Sequence, residues 1–257
     1  MNKRHELSTG AKLGSMKKLS LFILGAALTL CPAAKAQQQA TVFLGSAASF
    51  AVLGGSAVTN TGNTVVNGDL GVWPGTSVTG FNPAGRVSGS IYAGTAVAQH
   101  AQASAAIAYN DAKGRTNGVH VLSAGNFDLG GKTYNPGLYK STSLGLTGTV
   151  TLSGKGVYIF QMGTTLITGP GAKVILSNGA DAADVFWQLG TSATLGNNTD
   201  FKGTILAGAQ IAFDTGATLE GRAIAQTAVT LIDNTVTIPL KNTLIIQLPP
   251  APPHVND

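Results

Sequence analysis

The chain has 257 residues, among them 34 Gly, 10 Pro and one Cys, and only 11% are charged, against about 25% in ordinary soluble proteins. Six basic residues (Lys3, Arg4, Lys12, Lys17, Lys18 and Lys35) and one acid (Glu6) precede position 37 and account for the whole net charge of +5; the remaining residues include ten basic and ten acidic ones. A neutral chain beyond position 36 excludes basic arms for phosphate, and with them nucleic acid as a partner.

Lys17 and Lys18 precede an apolar run, Leu19 to Leu30, and Ala34-Lys35-Ala36 offers a small-x-small cleavage site ahead of Gln37. Residues 1–36 therefore read as a signal peptide, with Met16 as the alternative start. The run is shorter than the roughly 20 residues that span a bilayer. The expected destination is outside the cell, with periplasmic or cell-surface retention as alternatives and no membrane contact after cleavage. Cys31 raises lipid attachment, but Leu30 stands where a small residue is needed. Cleavage after Ala36 leaves no cysteine, so stability rests on packing and backbone pairing without disulfides.

Residues 37–246 have the texture of one β-rich domain, with short runs of Val, Ile, Leu and Thr cut by Gly, Asn and Asp. From Phe50, FAVLG-GSAVTNTG-NTVVNGDLG divides into three short strands, and a Pro/Gly-rich piece from Val72 to Gly94 separates this first coil from the rest of the domain. Thr95 to Arg115 lacks Pro, and lacks Gly until Gly114. Val97, Ala101, Ala105, Ala108 and Ala112 recur there at helical spacing, which predicts a helix of about five turns with one small-residue stripe. Such a stripe lets a helix lie close against another surface.

After the helix the strands repeat. In register the chain reads GLYKS-TSLGLTG-TVTLSG from Gly137, then VYIFQM-GTTLITG-PGAKVILSN from Val157 and DVFWQL-GTSATLG-NNTDFKG from Asp184. TILAG-AQIAFDTG-ATLEG from Thr204 and RAIAQ-TAVTLIDN-TVTIP from Arg222 complete the series. Three strands per repeat predict an all-β-dominated solenoid of triangular cross-section. The first column is apolar in both phases (Ile159 with Phe160, Phe186 with Trp187, Ile205 with Leu206), as in strands buried on both sides. The Ala-striped helix is its expected cover, with Trp187 packing against the helix and Trp73 serving as a cap. The third column exposes Lys173, Asp200, Lys202 and Glu220 around inward Leu176, Phe201 and Leu219, a solvated wall with a surface ion pair at Lys202. The second column points Leu144, Leu146, Leu166, Ala193, Leu195, Ile211, Phe213, Val229 and Leu231 inward. Its outward positions read Gly145, Thr165, Thr194, Ala212 and Thr230, flanked by Thr147, Ile167, Gly196, Asp214 and Ile232. Apart from Asp214 this wall is uncharged and Thr-bearing. The tail, 247–257, is Pro-rich and reads as a linker remnant or a loose end.

Catalysis has little to work with. The acids are scattered and mostly at turns, where Asp commonly sits, and His100, His120 and His254 lack metal-ligand spacing. Gly131-Lys132-Thr133 resembles the end of a phosphate loop, but Asn126 stands where its first Gly is required. The reading is therefore a non-enzyme with no cofactor and no metal.

The stretches LGSAASFAVLGGSAVTNTGNTVVNGDLGVWPGTSVTGF, AYNDAKGRT and VFWQLGTSATLGNNTDFKGTILAGAQIAFDTGATLEGRAIA resemble the microbial ice-binding protein family, from about Thr41 to Thr237. The resemblance implies a right-handed discontinuous β-solenoid with one long α-helix along one face, the N-terminal coil packing beside the last C-terminal coil. It also implies adsorption to ice from one flat face, giving thermal hysteresis and inhibiting recrystallisation. Strong members carry a Thr-Ala/Gly-x-Thr/Asn element on that face. Thr61-Gly62-Asn63-Thr64 and Thr215-Gly216-Ala217-Thr218 match it, and Thr191-Ser192-Ala193-Thr194 departs only at its second residue. The expected contact residues are Thr61, Thr64, Thr147, Thr165, Ile167, Thr191, Thr194, Ala212, Thr215, Thr218, Thr230 and Ile232, although Thr218 shares its column with Glu220. Asp214, Ala212, Gly145 and Ile232 break a regular Thr ladder, which points to moderate hysteresis. The expected partner is the ice crystal surface, met by a monomer. The alternative is an adhesion or matrix module of the same fold that does not touch ice.

Overall fold

A computed structural model describes residues 38–240; the expected signal segment 1–36 and the tail 247–257 lie outside the described residues. Short β-branched runs cut by Gly and Asn cannot extend far before turning. Each strand instead pairs in parallel with the equivalent strand of the coils before and after it. The result is a right-handed β-solenoid with three walls. Wall A contains Tyr158–Met162 and Val185–Leu189, wall B contains Leu166–Thr168, Ala193–Leu195 and Ile211–Phe213, and wall C contains Thr149–Ser153 and Lys173–Ser177.

The solenoid is discontinuous in sequence. Val52 lies opposite Ala223, Thr59 opposite Thr230 and Val66 opposite Val236, so the N-terminal coil stacks on the last C-terminal one. The segment 72–94, expected to be a separator, is a correction to the sequence reading. Ser77–Thr79 and Arg86–Val87 pair with the N-terminal coil, and Ile91–Ala93 pairs with Asp69–Val72. Its strands are only two or three residues long, which is why Gly and Pro obscured them. At the opposite end Val119–Asp128 and Thr133–Tyr134 add a coil that the repeat pattern did not assign.

The interior is filled by alternate side chains of each strand, such as Tyr158, Phe160 and Met162 on wall A, Leu144 and Leu146 on wall B, and Val150 and Leu152 on wall C. Tyr139, Phe160 and Trp187 stack with centroids 5.1 and 4.3 Å apart, and Phe201 tilts against Trp187 at 4.9 Å. Trp187 thus points inward and donates from Nε1 to the Lys202 carbonyl (2.8 Å), and its neighbour Phe186 is the residue that meets the helix. Towards the N-terminal coils the filling changes to Val52, Val58, Val66 and Leu70.

The helix spans Ala96–Gly114, with the Thr95 hydroxyl accepting from the Ala98 N–H at its start. It buries Ala101, Ala105, Ala108 and Ala112 against Leu138, Ile159, Phe186, Leu206 and Ile224 of wall A, and Ala98 is buried on the same stripe. Val97, expected in that stripe, is 47% exposed, and Ala98 takes its place. At the other end the Gln161 side chain donates to the carbonyls of Ala112 (2.7 Å), Arg115 (2.9 Å) and Lys113 (3.2 Å), satisfying acceptors that a helix terminus leaves unpaired. Wall A is therefore covered, which accounts for its apolar character in both phases.

Glycine sets the corner between walls A and B. The Gly190 N–H donates to the Met162 carbonyl (2.8 Å), and a Cβ on Gly190 would lie 1.9 Å from the Gly163 carbonyl oxygen of the next coil. Gly190→Ala should push two coils apart and cost about 1–3 kcal/mol, read as a lower denaturation midpoint with unchanged slope.

Candidate functional site

Wall A is occupied by the helix, so a surface function falls to walls B and C. Wall C carries a compact charged group at its middle, with the Lys202 ammonium 2.9 Å from Asp200 and 3.3 Å from Glu220, and the exposed Arg86 further along. Burial alone would lower the Lys202 pKa, but the two carboxylates outweigh it and raise the value. Thr218 lies in register with Asp200 and Thr235 on this wall, and its hydroxyl donates to Asp200 Oδ1 (3.3 Å). The structure thus removes Thr218 from the uncharged wall.

On wall B, Leu144, Leu166, Ala193, Ile211, Val229 and Val58 form the inward ladder and are all buried. The outward face row runs Gly145, Ile167, Thr194, Ala212, Thr230, Thr59, Thr79. A second outward row runs along the corner with wall A. The N–H of Thr164 donates to the Thr142 carbonyl, Thr191 to Thr164, Ala209 to Thr191, Thr227 to Ala209 and Ser56 to Thr227, over 2.6–3.0 Å. Successive rungs are one strand spacing apart, about 4.8 Å.

Where these rows meet, Thr191–Thr194, Thr227–Thr230, Ser56–Thr59 and Thr76–Thr79 each place one hydroxyl on the corner and one on the face, with a small residue (Ser192, Ala228, Ala57 or Ser77) between. None of these eight hydroxyls has a hydrogen-bond partner among the described residues, and all eight residues are exposed or half-exposed, which leaves the hydroxyls available to water. No charged side chain stands on either row over this stretch. Asp214 and Asp233 lie beyond it, towards wall C.

The far end of the wall differs. Thr142 donates to the Ala124 carbonyl (2.7 Å) and Thr164 to the Thr142 carbonyl (2.9 Å). Thr147 gives its hydroxyl and its N–H to the Asp128 carboxylate. Burial would raise the Asp128 pKa, but Thr147, the Gly130 N–H and nearby Lys132 outweigh it and hold the group below its ordinary value. Beside it, Gly145 leaves a hollow of about 510 Å³ lined by Thr147, Thr165 and Ile167 among others.

The structure re-sorts the predicted residues. Thr194, Ala212 and Thr230 share the face row as expected. Ile167, not Thr165, stands opposite Gly145 and Thr194, and Thr165 lies two residues earlier, nearer the corner. Thr191 belongs to the corner row. Thr61 and Ile232 pair at the edge towards wall C, and Thr215 is exposed in a turn on that edge. Thr64 is fully buried and accepts from the Asn234 N–H (3.0 Å), so its place on an outward face is corrected. The two motif copies at 61–64 and 215–218 round the corner between walls B and C through Gly62 (φ 79) and Gly216 (φ 75), and their last Thr leaves wall B. Ser56, Thr59, Thr76, Thr79 and Thr227 were not singled out from the sequence. Their signal was available in Thr227-Ala228-Val229-Thr230, a full match to the element, and in the alternation of Val58 and Thr59.

The remaining sequence candidates stay apart. His120 stacks on Tyr139 (5.4 Å), and Lys132 donates to the Asp128 carbonyl (2.7 Å) and lies over the Phe127 ring. Among the described residues no group of three or more His, Cys, Asp or Glu stands close enough to hold a metal ion. His254 lies outside them.

Comparison with known proteins points one way. The family model described as ice-binding-like matches residues 52–237. An ice-binding protein of Nostoc sp. (strain HG1) is 45% identical over 200 residues, covering 75% of this chain and 72% of that protein. The crystal structure of an ice-binding protein from an Antarctic biological consortium superposes with TM-score 0.76 at 47% identity, covering 79% of this chain and 93% of that one. An ice-binding protein from the Antarctic ascomycete Antarctomyces psychrotrophicus gives TM-score 0.74 at 41% identity, covering 77% and 98%.

Proposed function

This chain belongs to the ice-binding protein family, and on that premise we propose that it is an exported, monomeric, non-enzymatic ice-binding protein that adsorbs through wall B. The observation that carries the reading is the paired rows of hydroxyls without protein partners from Thr191 to Thr79, with no charge on either row. Ice is a lattice of water, so a binder needs area, flatness and order rather than a reactive group. Each Thr presents a hydroxyl that can occupy a place in a water array, beside a methyl that keeps neighbouring water out of competing geometries. Because Thr is stiff at χ1, these groups are positioned before contact, and a preorganised surface loses little entropy on binding. Apolar area removed from water adds about 25 cal/mol per Å². A charge on the rows would hold its own hydration shell and oppose transfer to an ordered interface.

Adsorbed molecules make the ice front bulge between them, which lowers its local freezing point and arrests coarsening. The breaks at Ala212 and Gly145 favour moderate hysteresis. Ice grown in dilute protein should develop facets, and polycrystalline ice should stop coarsening. Round crystals that coarsen normally would overturn this reading and favour a surface-adhesion module.

A further inference from the structure

Five consecutive coils carry the corner and face rows from Thr191 to Thr79, and four of them have a hydroxyl in both rows. The exception is the second coil of the five, where Ala209-Gln210-Ile211-Ala212 occupies the four positions. It isolates the Thr191–Thr194 pair from the three contiguous pairs on its other side. The same coil is also rough. Gln210 is exposed on the intermediate row, where the neighbouring coils carry only Ser192, Ala228, Ala57 and Ser77. A long exposed amide there stands among a row of small groups.

Nothing in the fold calls for this composition. The backbone ladder runs through the coil unbroken, with the Ala209 N–H on the Thr191 carbonyl (2.8 Å) and the Thr227 N–H on the Ala209 carbonyl (3.0 Å). Ile211 alone points inward and is buried, while Ala209 and Ala212 are half-exposed. Strand positions on a half-exposed wall accept β-branched residues readily.

We infer that the coil holding Ala209, Gln210 and Ala212 is the defect that limits the strength of ice adsorption, and that these three outward positions set it. The inference rests on the proposed role of wall B. Healing the coil would turn three contiguous hydroxyl pairs into five. On a rigid array, contacts added in register raise avidity without any new kind of contact.

The test compares wild type with Ala209→Thr/Ala212→Thr, alone and combined with Gln210→Ser, at equal molar concentration. Hysteresis should rise at least about two-fold in the double variant and further in the triple, with circular dichroism and melting temperature unchanged. Should the Thr pair disturb folding, Ala209→Ser/Ala212→Ser supplies the hydroxyls with less bulk and should also exceed wild type. An active wild type that no folded variant exceeds would overturn this inference alone. A wild type that leaves ice unshaped would overturn the functional reading beneath it.

Discussion

Thr194→Tyr combined with Thr230→Tyr should remove nearly all thermal hysteresis while leaving the circular dichroism spectrum and melting temperature at their wild-type values. Both residues lie on the face row of wall B, on either side of Ala212, and neither hydroxyl bonds to the protein. Tyr suits a β-strand, and surface changes of this kind usually shift stability by no more than about 0.5 kcal/mol. Two rings standing above a row of methyl and hydroxyl groups would hold an ice plane off the rungs beside them. Thr235→Tyr is the matched control, since it places the same ring on exposed wall C in register with Thr218. That variant should keep full activity. Loss of hysteresis in the control, or its survival in the double variant, would mean that the wrong wall has been identified.

Trp187→Ala should do the reverse, costing stability while sparing the surface. Trp187 is fully buried, lies nearly flat on Phe160 (11° between planes) and donates to the Lys202 carbonyl. Removing a buried aromatic of this size costs about 3–5 kcal/mol, and the Lys202 carbonyl loses its partner as well. For a domain of this size that corresponds to a fall in melting temperature of roughly 10 °C. Trp187→Phe keeps one ring on Phe160 but loses the N–H and part of the indole volume, so it should cost less than Trp187→Ala, about 1–3 kcal/mol. Calorimetry separates the two. A melting temperature unchanged in Trp187→Ala would remove the aromatic stack as a main support of the solenoid interior.

The legible part of the sequence was the part governed by alternation. Period two in a strand fixes which side a residue faces but not which rung it occupies. The side of Thr165 and Ile167 was therefore readable, and their row was not, because a shift of two residues preserves the phase. Strands buried on both sides give no phase at all, which is why the sequence assigns Trp187 to the helix side, whereas in the structure it fills the interior and Phe186 meets the helix. At the corner between walls B and C, the left-handed Gly62 resets the alternation and turns Thr64 inward. A Cβ at Gly62 would come within 2.1 Å of Asp233 Oδ1, so this turn requires glycine. Helical spacing located the helix to within a residue at each end, and erred only in taking Val97 for Ala98. The three-strand template found the coils rich in Val, Ile and Leu and missed the two outer ones, where Gly and Pro interrupt the strands at 72–94 and where the long strand Val119–Asp128 lacks the three-part punctuation. With the coil 69–87 unrecognised, Thr76 and Thr79 could not be aligned with Ser56 and Thr59, and the longest unbroken part of the hydroxyl array went unseen.

A single ice crystal grown slowly in fluorescently labelled protein would put the whole account at risk. Wild type and Thr235→Tyr should light the same defined set of crystal planes, and Thr194→Tyr/Thr230→Tyr should leave the crystal dark. Equal labelling by all three proteins, or darkness with Thr235→Tyr alone, would show that the rows on wall B are not what meets the ice.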